Sequence, residues 1–110
     1  MILEMAILNV RIGEGDAFEQ AFSQVQDIIA SMPGYASHEL QHCLESPDTY
    51  LLLVRWQKLE DHIIGFRQSA QYPEWKRWLH HFYESFPLVE HYELVATNRA
   101  ATGSEWRTEK

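Results

Sequence analysis

Residues 35–56, which read YASHELQHCLESPDTYLLLVRW, carry the strongest indication of the fold. Two runs with strand character, Tyr35 to Leu44 and Tyr50 to Trp56, lie on either side of the short polar segment Glu45 to Asp48. A polar break of this length between two such runs predicts an antiparallel hairpin. Successive side chains of a strand point to opposite faces, and in the second run both sets are largely apolar. We therefore expect both faces of that strand to be buried.

One strand and one helix are predicted before this hairpin. The segment Ile2 to Ile12 is mostly apolar and is followed by a glycine turn, which indicates a first strand. Asp16 is in position to cap a helix, and Pro33-Gly34 is in position to end it. Between them, apolar residues recur at intervals of three and four, which predicts an amphipathic helix; these residues are Phe18, Ala21, Phe22, Val25, Ile28, Ile29 and Met32.

A second helical region and a last strand are predicted after the hairpin. Helical spacing begins at Leu59, is interrupted at Gly65 and residues 68–70, and resumes before Phe82, so we expect a broken helix. Leu88 to Val95 is interpreted as a fourth strand. Residues 1–95 would then form one domain, and residues 96–110, which are polar and without periodicity, a C-terminal tail.

The order β-α-β-β-α-β predicts an α+β, ferredoxin-like fold with a four-stranded antiparallel sheet and helices on one side. The other side of the sheet would expose the apolar residues of the first and third strands, which a soluble monomer avoids. Two copies that pack sheet against sheet would bury this surface. The pattern therefore predicts a homodimer.

Composition excludes several classes of function. The 110 residues suffice for one domain, and the net charge is −7 with no cluster of basic residues, which argues against a nucleic-acid partner. The longest apolar run, Leu51 to Val54, is far shorter than the ~20 residues of a membrane-spanning helix, so no membrane association is expected. Cys43 has no second cysteine with which to form a disulfide, which favours the cytoplasm.

Several motifs resemble the antibiotic biosynthesis monooxygenase family, whose small domains form dimeric α+β barrels. They are Pro33-Gly34-Tyr35, Leu40, Pro47-Asp48 with Tyr50 to Trp56, Glu60-Asp61-His62, Phe66-Arg67 with Ser69, Tyr72, Trp75 and Glu90-His91-Tyr92. The resemblance covers roughly residues 2 to 95.

This resemblance implies a monooxygenase that acts on a small aromatic or quinol-like substrate in a pocket between the sheet and the helices. It implies no cofactor, neither metal nor flavin. Family members differ in function, so a non-catalytic dimer that binds a small ligand is an alternative, as are a haem-degrading relative and a purely structural dimer.

Candidate site residues follow from their chemistry and from the resemblance. His62 is a candidate general base, Trp56 a candidate donor to a substrate oxygen, and Asn9 a buried amide that needs a partner. A core role is the alternative for each of them. The candidate substrate-binding residues are Phe66, Arg67, Tyr72, Trp75, Trp78, Phe82 and Tyr92, for most of which core packing is the competing interpretation.

No metal site is predicted from the histidines. His38 and His42 lie on one predicted strand, where residues four apart are separated by about 13 Å, because each residue rises ~3.3 Å. His80 and His81 are adjacent on a predicted helix and point in different directions. Neither pair can coordinate a single metal ion.

Overall fold

The chain folds as predicted into a four-stranded antiparallel sheet with helices on one side. The computed structural model describes residues 1–100. Its strands and helices are β1 (Ile2–Asn9), α1 (Gly15–Ala30), β2 (Tyr35–His42), β3 (Thr49–Trp56), a π-helical segment (Asp61–Phe66), α2 (Tyr72–Leu79), a 3-10 turn (His80–Phe82) and β4 (Leu88–Glu93). The α+β, ferredoxin-like class is confirmed.

The strand order in the sheet is β2-β3-β1-β4, so β1 and β3 occupy the centre. In β1, Glu4 pairs with Val54 of β3 on one side and with His91 of β4 on the other. All three side chains therefore point to the same face of the sheet, because directly opposed residues of paired strands share a face.

The helices cover this face and leave the other open. The helix-covered face carries the buried residues Ala6, Leu8, Tyr50, Leu52, Val54 and Trp56, against which α1 packs Phe18, Phe22, Val25 and Ile29. On the open face, Leu3, Met5, Ile7, Leu51 and Leu53 are only half-buried. The expectation that both faces of β3 are buried thus holds, within one chain, for the helix-covered face only.

Two local expectations differ from the structure. Asp16 does not cap α1, since the helix already begins at Gly15 after Glu14 and no side chain caps it by a hydrogen bond. Gly65 does not interrupt the second helical region, because it lies within the π-helical segment. The interruption follows at residues 67–71, before α2 begins with Pro73 in its first turn.

The chain after β4 has no regular secondary structure as far as residue 100. The rest of the predicted tail, residues 101–110, lies outside the described residues. Within residues 1–100, no helix combines the length and apolar character that crossing a bilayer requires.

Candidate functional site

A cavity of about 200 Å³ lies between the helix-covered face of the sheet and the second helical region. Ala6, at the centre of β1, has a small side chain and leaves this space open above the sheet. Phe66, Tyr72 and Trp75 form an aromatic wall on the helical side. The remaining lining residues are Glu4, Leu8, Leu52, His62, Arg67, His80, Tyr83, Phe86, Pro87 and Val89.

Glu4 places a carboxyl group in the floor of this cavity. It shares a face of β1 with Ala6 and Leu8 and is only 5% exposed. The Trp56 indole N–H donates a hydrogen bond of 2.9 Å to Glu4 Oε1, and Trp56 itself is fully buried. A buried carboxyl without a donor would be very costly, so this bond is what allows Glu4 to occupy the interior.

His62 is the second buried ionisable group and lies beside Glu4. Its Nε2 is 3.4 Å from Glu4 Oε1, longer than an ordinary hydrogen bond. Its Nδ1 is 2.8 Å from Nε2 of His91, so one ring donates a hydrogen bond to the other. The His62 ring stacks on Trp56, with 5.6 Å between centroids and 16° between planes. The positions of both ring nitrogens are thereby fixed.

Burial favours the uncharged form of both groups. It raises the pKa of Glu4 from 4.5 to about 7, although the Trp56 hydrogen bond and the Arg67 charge oppose this rise. Burial, together with the smaller effects of the charges of Arg67 and His91, lowers the pKa of His62 from 6.5 to about 3. An ion pair between the two groups would shift both pKa values the other way, but at 3.4 Å the loss of hydration outweighs their attraction. Near pH 7 the pair therefore consists of neutral His62 and a Glu4 carboxyl that readily gains or loses a proton.

The π-helical segment positions three residues of the site. His62 and Phe66 are its buried residues, and both rings face the cavity. The backbone N–H of Arg67 donates to the carbonyl of His62, at 3.1 Å and five residues back, which is the hydrogen bond that defines a π-helix. This wider turn brings the Arg67 side chain to the cavity, where it stays exposed. Such segments often occur at functional sites.

The structure brings five of the predicted site residues to the cavity: His62, Phe66, Arg67, Tyr72 and Trp75. Trp56 lies beneath it, with its indole N–H bonded to Glu4 rather than free for a substrate.

Four predicted site residues lie elsewhere. Asn9 is exposed on the open side of the sheet, where its Oδ1 accepts a hydrogen bond from Thr49. Tyr92 also points to the open side and donates to Glu90. Phe82 packs on Phe18 in the core. Trp78 is 39% exposed and lines a separate surface groove between α1 and the second helical region.

Sequence reasoning missed Glu4 and His91. The signal for Glu4 was its alternation with Ala6 and Leu8, which puts a carboxyl group on the buried face of β1. The hydrogen bond of His91 to His62 depends on the pairing of β4 with β1, which no local pattern reveals. The other unpredicted lining side chains, His80, Tyr83 and Phe86, come from the connection between α2 and β4.

The geometry gives no support to a metal or haem site. Among residues 1–100, no three side chains of metal-binding type come close enough together to hold an ion. His62, which lines the cavity, has its Nδ1 engaged with His91 rather than free for an iron atom. A porphyrin also exceeds a cavity of about 200 Å³, which is smaller than most small-molecule sites.

Fold and site together define the class of protein. The family model for antibiotic biosynthesis monooxygenases matches residues 1–78. The chain is 50% identical over 95 residues to the uncharacterized protein YczJ of Bacillus subtilis (strain 168), covering 86% of this chain and 100% of that protein. This protein belongs to the antibiotic biosynthesis monooxygenase family.

Solved structures agree with this assignment. A Bordetella bronchiseptica protein that carries the same family name superposes with a TM-score of 0.83 at 29% identity, over 86% of this chain and 97% of that chain. A Caulobacter crescentus CB15 protein of the same name gives a TM-score of 0.71 at 18% identity, over 86% and 90% of the two chains. At 18% identity, the similarity to the Caulobacter crescentus protein establishes the fold alone.

Proposed function

We propose that this protein is a monooxygenase that oxidises a small, electron-rich phenol with dioxygen and needs neither metal nor flavin. The observation that carries the proposal is the buried Glu4 carboxyl, with a pKa raised to about 7, in the floor of an aromatic-lined cavity. A general base works best when its pKa is near the operating pH. Membership of the family supports the same class of chemistry.

In the proposed reaction, Glu4 takes the proton of the phenol. The resulting phenolate is electron-rich, and a ring carbon gives electrons to dioxygen and forms a C–O bond. The peroxide anion that results takes a proton from Glu4 and becomes a hydroperoxide. Breakage of its O–O bond, with loss of the ring C–H proton, gives a quinone and water, so that phenol plus O₂ balances with quinone plus H₂O.

The neighbours of Glu4 support this role. The indole N–H of Trp56 stabilises the carboxylate form, while the uncharged His62 ring fixes its position without neutralising it. Phe66, Tyr72 and Trp75 offer faces and edges to an aromatic ring and exclude water from it. We therefore assign the base to Glu4 rather than to His62, whose low pKa makes it a weak proton acceptor.

The size of the cavity sets the class of substrate. Small-molecule sites commonly enclose about 300–1,000 Å³, and about 200 Å³ is available here. A single aromatic ring with small substituents suits this volume better than a fused ring system does.

A homodimer is part of the proposal. The half-buried apolar residues of the open face are Leu3, Met5, Ile7, Leu51 and Leu53, and they are joined at the β4 edge by Leu88 and Tyr92, which are 56% and 47% exposed. A patch of this kind favours association. A second copy packed on the open face would leave the cavity of each chain on the outer, helix-covered side. The proposed location is the cytoplasm, in keeping with the single Cys43.

Oxygen uptake tests the proposed function. With resorcinol and related single-ring phenols we expect uptake of one O₂ per quinone formed, with one atom of ¹⁸O₂ in the product. Glu4→Gln should slow uptake about a hundredfold or more, the usual contribution of a general base. Glu45→Gln, the same change in the exposed hairpin turn, should have no effect. Phenols that bind without oxygen uptake would refute the monooxygenase and favour the ligand-binding alternative.

A further inference from the structure

Within the described part of the chain, three arginines have a carboxylate partner and Arg67 has none. Arg11, Arg55 and Arg77 each have a guanidinium nitrogen within 4.0 Å of a glutamate oxygen. Within residues 1–100, Arg67 forms neither a salt bridge nor a side-chain hydrogen bond, although it lines the cavity. A cation at the mouth of the cavity is thus accessible to a ligand, with no partner among residues 1–100 to displace.

Glu4, the one carboxyl group that lines the cavity with Arg67, does not neutralise this charge at or below neutral pH. Its proton is retained up to about pH 7, since burial raises the pKa of Glu4 to that value. The Arg67 charge nevertheless reaches into the site. Burial and the Arg67 charge together lower the pKa values of His62 and His91, and the Arg67 charge opposes the rise that burial causes in the pKa of Tyr72. The cavity therefore has a positive mouth, in a chain whose net charge is −7.

A second cation, Lys76, lies near the aromatic wall of the cavity. The Lys76 Nζ is 5.6 Å from the centre of the Tyr72 ring, and burial together with the Lys76 charge lowers the pKa of His80, which lines the cavity. Lys76 thus lies beside Tyr72 of the aromatic wall without lining the cavity itself, and within residues 1–100 the only carboxyl group that lines the cavity is that of Glu4. An anion that enters would meet the Arg67 charge, with the Lys76 charge close to the aromatic wall, in an otherwise acidic protein.

We propose that the cavity binds a single-ring aromatic that carries a carboxylate as well as a hydroxyl group. The Arg67 guanidinium holds the carboxylate at the mouth, the ring packs against Phe66, Tyr72 and Trp75, and the hydroxyl reaches Glu4 in the floor. This names the substrate class of the proposed monooxygenase and rests on that function for the role of Glu4. A guanidinium matches the two oxygens of a carboxylate with two parallel N–H groups, an arrangement that lysine cannot reproduce.

Binding of a matched pair of probes tests this inference. 4-Hydroxybenzoate and 4-hydroxybenzamide have nearly the same shape and differ in charge. By titration calorimetry we expect the carboxylate to bind at least about tenfold more tightly, as one charge-assisted pair provides. In Arg67→Gln the preference should disappear while the amide binds as before, and Arg67→Lys should retain part of it. Arg77→Gln, which removes an exposed arginine of α2 outside the cavity lining, should keep the full preference.

The results also separate this inference from the proposed function. Equal binding of the two probes, no binding of the carboxylate, or an unchanged preference in Arg67→Gln would overturn the inference. Oxygen uptake with neutral phenols would then still support the monooxygenase. Conversely, Arg67-dependent binding without oxygen uptake by any phenol would support the inference and refute the monooxygenase.

Discussion

Glu4 and His62 are buried side by side, and for each the interior favours the uncharged form. Glu4 retains its proton well above its ordinary pKa, whereas His62 resists protonation well below its own. Between about pH 4.5 and 6.5, His62 is protonated and Glu4 ionised in the unfolded chain. In the native chain the reverse holds, with Glu4 protonated and His62 neutral. The pH dependence of stability should reveal this exchange.

We predict that Glu4→Gln changes how stability depends on pH. From pH 4.5 to about 7 the native protein keeps the Glu4 proton that the unfolded chain has lost, so the contribution of Glu4 to the free energy of unfolding falls as pH rises. A rise of the Glu4 pKa from 4.5 to about 7 corresponds to a change of about 3 kcal/mol in the free energy of unfolding. Glutamine cannot ionise, so this contribution is absent from the variant. Between pH 4.5 and about 7, the free energy of unfolding of Glu4→Gln should therefore rise by about that much relative to that of the natural protein. Urea unfolding at fixed protein concentration measures the difference.

His62 provides the internal check on that measurement. Its lowered pKa makes the native state lose stability as pH falls from 6.5 towards 3, because only the unfolded chain takes up the proton. This loss should persist in Glu4→Gln. Parallel stability curves for the variant and the natural protein would contradict the buried, proton-retaining carboxyl.

The strands and helices show which parts of the fold local sequence predicts. The amphipathic spacing from Phe18 to Met32 predicted α1, and the polar turn at residues 45–48 predicted the hairpin of β2 and β3. The form of the second helical region was not predictable, since the π-helical turn at Asp61–Phe66 depends on which side chains pack against the sheet. The start of α1 was misjudged because Asp16 was taken as a cap, although the chain already enters the helix at Gly15.

The turn between α1 and β2 depends on Gly34, and its substitution should be costly. Gly34 has φ of 84°, and a Cβ there would collide with the Asp61 carboxylate, which itself accepts a hydrogen bond from the backbone of Lys58. Gly13 has a similar φ of 82° but open space around it. Gly13→Ala should therefore cost only the conformational strain, about 1 kcal/mol, and Gly34→Ala distinctly more. Thermal or urea unfolding of the two variants makes the comparison.

Truncation of Asp61 tests whether its carboxylate contributes to the high cost of Gly34→Ala. In an Asp61→Ala background, Gly34→Ala should cost less than in the natural chain but still more than Gly13→Ala, because the carboxylate is gone while the Cβ of residue 61 remains 2.8 Å from the added Cβ. Equal costs for both glycine substitutions in the natural background would show that the Asp61 contact is unimportant.

Across the whole molecule, the site forms only when distant segments meet. Glu4 comes from β1, His62 from the π-helical segment and His91 from β4, and the pairing of β4 with β1 brings them together. The sequence predicted the helical part of the cavity, His62, Phe66, Arg67, Tyr72 and Trp75, because helical spacing and family resemblance both mark that region. It did not predict Glu4, since a single acidic residue within a strand looks like a solvent-facing position.

The open face of the sheet should be the dimer interface. Leu53 pairs with Met5 at its centre, so Leu53→Glu would place a charge inside the proposed contact and should yield monomers. Leu44→Glu, at a 90% exposed site in the hairpin turn, should leave the dimer intact. Sedimentation at micromolar concentration should give twice the 13.0 kDa chain mass for the natural protein and for Leu44→Glu. A folded natural monomer, or an unchanged dimer of Leu53→Glu, would contradict the interface.

The proposed chemistry depends on a Glu4 carboxyl that exchanges its proton near neutral pH. Direct titration of this group by ¹³C NMR, with glutamate labelled at Cδ and the signal assigned by its loss in Glu4→Gln, gives the most direct test. We predict a midpoint near pH 7, because burial opposes the charged form more strongly than Trp56 and Arg67 favour it. A midpoint near the ordinary 4.5 would mean that the Glu4 carboxylate is well solvated, which would contradict a buried carboxyl that exchanges its proton near pH 7.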